Sequence, residues 1–314
     1  MRDSDDRDGS RGAAASAREV PDGGLSAAIA SFREARLLRA CIGSVLPQCE
    51  SVGAELVVAR AGDPGDLEAW REEFPTVRFL AAPPGSSIPV LRGVALAAAS
   101  GAVVALTEDH CVAASGWLER LAETVRAGAP VVGGAMGNAR TERLVDWAAY
   151  FAEYGLFAGC DDSGTPPSPT EANVAYAGAI VPAIAAWTRS GLWENVVHDR
   201  LRARGVGFAF RADAIVLQNH TYRFGAFCRD RFTHGRAYAR RRLAEGSTVS
   251  RWLLAAGTPV LPFLLLSRVA RRARRSHRGP FLRAGPLTLA FLSAWALGEA
   301  AGYLAGPALS GGGS

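Results

Sequence analysis

The sequence predicts an α/β fold: a doubly wound, mostly parallel sheet with a C-terminal hydrophobic helical pair. Three observations carry that expectation. Short apolar runs at 25–30 and 103–106, with further strands read at 55–59 and 77–80, fit buried parallel strands. Segments of helical periodicity, each near ten residues, separate those runs, and strict alternation of this kind argues for parallel βαβ units. Two uncharged or nearly uncharged stretches, 252–267 and 286–309, close the chain.

In order, Leu25–Ala30 is the first strand, followed by the turn Ser31-Phe32-Arg33-Glu34. Leu37, Leu38, Cys41, Ile42, Val45 and Leu46 then recur at helical spacing, with Pro47 expected to end the helix. Glu55–Ala59 is the second strand, and its exit through Arg60, Gly62, Asp63 and Pro64 leads to a helix from Leu67. Val77–Leu80 is a short third strand. A loop at Pro83–Ser87 precedes a helix over Val90–Ala99, capped by Gly101, and Val103–Leu106 is the central strand. That strand stops abruptly at Thr107-Glu108-Asp109-His110. In open α/β sheets, ligands gather at the carboxyl ends of the strands, so Glu108, Asp109 and His110 offer oxygen and nitrogen donors where a hard cation and a phosphate meet. A solvated acidic turn is the alternative. No GxGxxG follows any strand, so the usual dinucleotide fingerprint is missing.

The 314 residues, 49% hydrophobic and 21% charged, suffice for one large or two modest domains. All 35 basic residues are Arg, a bias of composition, and the net charge of +5 concentrates in Arg223–Arg283. Five scattered cysteines without CxxC spacing argue against a disulfide framework or structural zinc and fit a reducing compartment. The organisation expected is a disordered lead at 1–24, an α/β domain at 25–245, a membrane-associated helical hairpin with a basic loop at 246–309, and a flexible tail at 310–314.

Residues 25–121 resemble the nucleotide-binding half of the family 2 glycosyltransferases, which have a GT-A fold. The resemblance rests on AIASFREARLLRACIGSVLPQ, on the Gly-rich loop and helix GSSIPVLRGVALAAASG with its Arg92, and on Thr107-Glu108-Asp109 at the place of Asp-x-Asp. It implies that Ser31, Arg33, Glu34, Asp63, Arg92, Glu108 and Asp109 face a nucleotide-diphosphate sugar. It also implies a divalent cation, Mn or Mg, at Asp109, with Glu108 or His110 beside it and His220 completing the shell. The sequence departs from the family at Arg33, at Ala59-Arg60 in place of an acidic pair, and at Thr107.

With interruptions the resemblance runs to about residue 240. Glu171–Tyr176 resembles a Gly-Asn-x-Ala segment on the acceptor side, which places Asn173 there, and Trp193 joins it. Counting back from Leu201 and Gly205 puts Glu194 on the family's catalytic base, with Asp199 the rival. An inverting transfer needs one such carboxylate to take the acceptor proton. Asp146–Phe157 reads as an aromatic-rich core helix, 160–170 as a polar flap, 206–218 as a hairpin-like run, and 223–242 as a basic helix.

Trp252–Ser267 is too short to cross a bilayer as one helix (about 24 Å against ~30 Å), and Pro286–Leu309 carries Glu299. Two full crossings would put the Arg-rich segment between them opposite the catalytic domain, so shallow insertion at the cytoplasmic face of the cell membrane is favoured over a two-pass hairpin or buried soluble helices. The sequence thus points to an inverting transferase that acts on a lipid-linked or other hydrophobic acceptor, with a membrane surface and no nucleic acid as partner. A non-catalytic sugar- or lipid-binding relative is the alternative, and a nucleotidyltransferase a more distant one.

Overall fold

The computed structural model describes residues 23–158, 168–244, 246 and 249–307. The expected N-terminal lead (but for its last two residues), most of the 160–170 flap and the terminal tail lie outside these residues. The chain runs β1 (Leu25–Ser31), α1 (Ala35–Val52), β2 (Glu55–Ala61), α2 (Glu68–Glu73), β3 (Arg78–Ala82), α3 (Ile88–Ala98), β4 (Val103–Glu108), β5 (Cys111–Ala113), α4 (Trp117–Arg126) and β6 (Val131–Asn138). It continues with α5 (Leu144–Tyr154), β7 (Asn173–Ala177), α6 (Val181–Arg189), α7 (Glu194–Ala203), β8 (Phe208–Gln218), α8 (Phe224–Ala244), α9 (Arg251–Gly257), α10 (Leu261–Ser276) and α11 (Arg278–Ala305).

One sheet of eight strands, ordered β3-β2-β1-β4-β7-β6-β8-β5, spans the described residues. Its first four strands are parallel, in keeping with the apolar centres of β1, β2 and β4. β7 then enters antiparallel between β4 and β6, β8 runs parallel to β6, and β5 lies antiparallel to β8. The parallel half brings the ends of β1, β2 and β4 side by side, with Ala30 opposite Glu108 and Ser31 opposite Arg60. One core lies against each face of the sheet. Trp117, Tyr150, Phe151, Leu38 and Ile42 fill one, and Leu96, Tyr176, Ile184 and Leu201 the other.

Several expectations are corrected. α1 continues through Pro47 to Val52, and the turn beyond the proline still buries Cys49. It ends at Gly53, whose φ of 64° supplies the left-handed cap. The 206–218 run is one long strand, not a hairpin, and its register shift against β6 at Gly134/Ala135 lets it reach β5. Gly101 is no helix cap. A Cβ there would meet the Ser26 side chain at 2.7 Å, so it marks a close approach of chains. The Arg-rich segment is helical: Arg268–Arg275 continue α10, and the break before α11 falls at His277.

α11 lies along α8 and α5, so the C-terminal region is packed onto the α/β domain. Glycines set the α8–α11 approach. A Cβ on Gly298 would run into the Phe232 carbonyl, and one on Gly235 into the Trp295 carbonyl. Gly298→Val should therefore force the helices apart and lower stability by about 1–3 kcal/mol, the range for overpacked contacts. Thermal and denaturant unfolding would measure this, and an unchanged midpoint would contradict the packing.

Candidate active site

The ends of β1, β2 and β4 converge on Asp109, which is fully buried. Its Oδ2 accepts hydrogen bonds from Ser31 Oγ (3.0 Å) and from the backbone N–H groups of Phe32 and Arg33 (both 2.6 Å). Arg60, at the end of β2, donates to Ser31 Oγ (2.6 Å) and to the Arg33 carbonyl (3.1 Å). The turn after β1 is thus clamped from both sides. Burial pushes the Asp109 carboxyl up, against the pull of these donors. Its second oxygen, Oδ1, is buried without a hydrogen-bond partner, and His110 Nδ1 lies 4.0 Å from it.

Beside this clamp sits Arg92 of α3, buried and facing three carboxylates. Its Nε donates to Glu108 Oε1 (3.0 Å), its second terminal nitrogen pairs with the same oxygen, and its first pairs with Glu171 Oε2 and lies 3.3 Å from Glu194 Oε2. One cation cannot neutralise three anions. Burial works against the Glu108 charge, but Arg92 and His110 outweigh it and hold that carboxyl below its usual range. Glu171 carries the excess. Burial, opposed by Arg92 and reinforced by Glu194 and Glu108, pushes its carboxyl up to about 7. Glu194 is raised as well, by burial first, although its side chain keeps 34% exposure.

These groups border a cavity of about 700 Å³. Phe32, Arg33, Glu108 and His110 line it from the strand ends and their turns, Arg92 from α3, and Trp193, Glu194 and Asp199 from α7 and the residue before it. Arg231, His234 and Tyr238 of α8 and Trp295 of α11 form the opposite wall. A second cavity of about 940 Å³, at the other end of the sheet, has Arg189 as its one charged lining residue and no acid or base to do chemistry.

Ser31, Arg33, Arg92, Glu108, Asp109, Trp193 and Glu194 therefore fall together. Others do not. Glu34 is exposed at the start of α1, and Asp63 is exposed on the turn after β2, so neither lines the cavity. Asn173 is buried inside the sheet, not on the acceptor side. Its Oδ1 accepts from Trp117 Nε1 (2.8 Å) and its Nδ2 donates to the carbonyls of Ala135 and Ala214 (2.8 and 2.9 Å), so it serves as a strut. His220 turns Nε2 toward the Arg33 guanidinium at 3.4 Å, and burial with that cation lowers its ring to about 4; His110 is the imidazole beside Asp109. Asp199 is 74% exposed and paired with Arg202 at 3.1 Å.

Sequence reasoning missed Glu171 and Arg60 as site residues, together with the α8 and α11 wall. Glu171 stands beside the quoted Glu171–Tyr176 segment, but its use depends on Arg92, 79 residues away. Among the described residues, no group of three or more His, Cys, Asp and Glu side chains is arranged to hold a metal ion. A hard cation that keeps its waters and takes phosphate oxygens needs only one or two protein carboxylates. The partnerless Asp109 Oδ1, with Glu108 Oε2 3.4 Å from His110 Nδ1, fits that smaller requirement.

Residues 26–175, which hold β1 through most of β7 and with them the clamp and two of the three carboxylates, match the sequence model of Glycosyl transferase family 2. The chain carries a glycosyltransferase family 2 domain. That match supports glycosyl transfer as the domain's chemistry. The mannosyltransferase PcManGT from Pyrobaculum calidifontis, solved in complex with GDP-Man and Mn2+, superposes with a TM-score of 0.51 over 88% of this chain and 87% of its own, at 14% identity. That similarity shows a shared GT-A fold. GalNAc-T7, solved with UDP, GalNAc and Mn2+, matches 37% of this chain and 23% of its own at 16% identity and a TM-score of 0.33. No curated protein sequence matches the chain.

The Glu171 carboxyl makes the glycosyltransferase domain's stability depend on pH. The folded chain keeps this proton up to about 7, whereas an unfolded glutamate releases it near 4.5. The stabilisation is complete below the lower value and lost as pH rises through the upper one. The melting temperature should fall between about pH 5 and about pH 8, and Glu171→Gln should flatten that fall. An unaltered slope in the variant would refute the assignment.

Proposed function

We propose that the chain is an inverting glycosyltransferase that moves a sugar from a nucleotide-diphosphate sugar to a hydroxyl of a lipid-linked or other hydrophobic acceptor. The observation that carries this reading is Glu194. It is the carboxylate of the Arg92 cluster that keeps substantial exposure to the cavity, at the start of α7. Burial raises the Glu194 carboxyl against the pull of Arg92, with Glu108 adding to the rise, and so gives it a proton affinity suited to general-base work. As the acceptor oxygen attacks the anomeric carbon from one side and the diphosphate leaves on the other, Glu194 takes the hydroxyl proton. Asp199, exposed and held by Arg202, is the poorer base.

The donor lies along the clamped turn. Ser31 and Asp109 fix the Phe32 and Arg33 backbone, and the Arg33 guanidinium at the cavity wall offers charge to the diphosphate. Asp109 Oδ1 and Glu108 Oε2 would hold the divalent cation, Mn or Mg. That ion, when bound, offsets the negative charge that develops on the departing diphosphate.

Glu194→Gln should lower kcat by about 10²–10⁴-fold with nucleotide binding retained. Wild-type turnover should rise with pH as Glu194 loses its proton, with a midpoint above the usual 4.5. Nucleotide release from GDP- and UDP-sugars, measured with and without Mn²⁺, reads both effects. Full activity in Glu194→Gln would overturn the base, and no nucleotide binding by folded wild type would overturn the transferase reading.

The C-terminal helices supply the acceptor's surroundings. The 251–276 and 278–305 stretches are long and apolar enough to cross a membrane by length and composition, with 17% and 44% of their most apolar windows buried. The packing of α11 against α8 and α5 favours association with the surface at the cytoplasmic face. Trp252, Leu253 and Phe263 are 58%, 68% and 61% exposed, and Arg268, Arg271 and Arg274 follow on α10. Apolar insertion beside Arg suits an anionic bilayer. Vesicles rich in phosphatidylglycerol should capture the chain more strongly than phosphatidylcholine vesicles. Trp252→Ser with Phe263→Ser should weaken that capture, as read by flotation.

A further inference from the structure

Glu299 is an anomaly that the transfer chemistry leaves unused: a carboxylate on the hydrophobic helix α11, only 6% exposed. Both of its oxygens are committed within the helix. Oε1 accepts from Trp295 Nε1, and Oε2 accepts from Tyr303 OH at 3.1 Å, whose own oxygen accepts from Arg242 at 3.3 Å. Residues 295, 299 and 303 share one helix face by their spacing of four. A buried carboxylate costs free energy unless hydrogen bonds compensate it, so this chain of contacts fixes the indole plane.

The indole is worth fixing because it lines the cavity that contains Glu194. Tyr238 lies beside it at 5.9 Å between centroids and 44° between planes, and the Arg231 guanidinium sits 5.4 Å from its ring. Arg231 is held in turn by Glu153 (3.4 Å) and His234 (2.9 Å). The missing Cβ at Gly235, against the Trp295 carbonyl, lets α11 bring the indole this close to α8.

We infer that Trp295 is the platform of the acceptor subsite, that it receives the face of a sugar ring carried by the acceptor, and that Glu299 is its positioning residue. A pyranose offers an apolar C–H face and a rim of hydroxyls. The wall offers the matching set: an indole face beside Arg231, Glu153, Asn195 and His234. An isoprenoid or acyl chain would call for an uninterrupted apolar lining, and these charged groups interrupt it. The inference rests on the transferase reading, to which it adds the chemistry of the acceptor group nearest the transferred sugar.

The test uses the full detergent-solubilised chain with its nucleotide site filled by GDP or UDP and Mn²⁺. Methyl α-D-mannopyranoside, methyl β-D-glucopyranoside and methyl β-D-galactopyranoside are titrated by saturation-transfer NMR, and nucleotide affinity is measured alongside. At least one glycoside should bind wild type. Trp295→Leu and Glu299→Leu should weaken it about tenfold, the loss of one aromatic contact, with nucleotide affinity unchanged. Glu299→Gln keeps an oxygen that accepts from the indole N–H and should restore binding, a rescue that a merely structural role would not show. Trp295→Leu, at the cavity wall, decides the matter where Glu299→Leu fails to fold.

Glycoside binding that ignores Trp295→Leu, or no glycoside binding by protein that binds nucleotide, would overturn the subsite and leave the transferase reading intact. Nucleotide affinity that falls with Trp295→Leu would place a nucleobase on the indole, and also overturns it. Failure of wild type to bind either ligand would remove both readings.

Discussion

The structure depends on one electrostatic imbalance. Arg92 is buried where three carboxylates from β4, the segment before β7 and the start of α7 converge. A buried guanidinium with a single partner would make a closed, inert pair. With three, the cluster binds its segments together and still keeps a surplus of negative charge. That surplus is absorbed in a graded way: Glu108 stays ionised, Glu171 holds its proton up to about 7, and Glu194, nearest the cavity, is the most exposed of the three. The same contacts that stabilise the fold therefore tune the acid proposed as the base.

A second constraint acts beside it. Asp109 spends one carboxylate oxygen on the turn after β1 and leaves the other without a partner. Arg60 braces that turn from β2, where the family pattern has an acidic pair. The substitution at Arg60 thus has a visible structural use. It exchanges an acidic group for a strut between two strand ends, stacked near Trp70 at 5.8 Å.

The C-terminal helices combine an exposed apolar and basic surface with a wall of the cavity. α10 presents Arg and exposed apolar side chains outward, while α11 presses Gly298 and Gly302 against α8 and contributes Trp295 to the cavity. The exposed apolar and Arg-bearing surface and the wall of the cavity are thus two faces of one helical unit. Movement of α11 against α8 would reach the site directly.

The sequence by itself determined the parallel half of the sheet, because β1 and β4 are buried throughout and β2 through its centre, which leaves short apolar runs separated by helical segments. It also determined where the polar ends of those strands fall, and hence Ser31, Arg33, Glu108 and Asp109. Its local rules failed where long-range contacts overrode them: Pro47 sits inside α1, and β8 is one strand because β5 and β6 both pair with it. Only the tertiary structure decided the surroundings of Asn173, Glu171 and Trp295. Each is defined by partners tens of residues away in sequence, such as Arg92 for Glu171 or the α8 side chains for Trp295, and a carboxylate in a sequence carries no mark of whether it will meet water, a proton or an arginine.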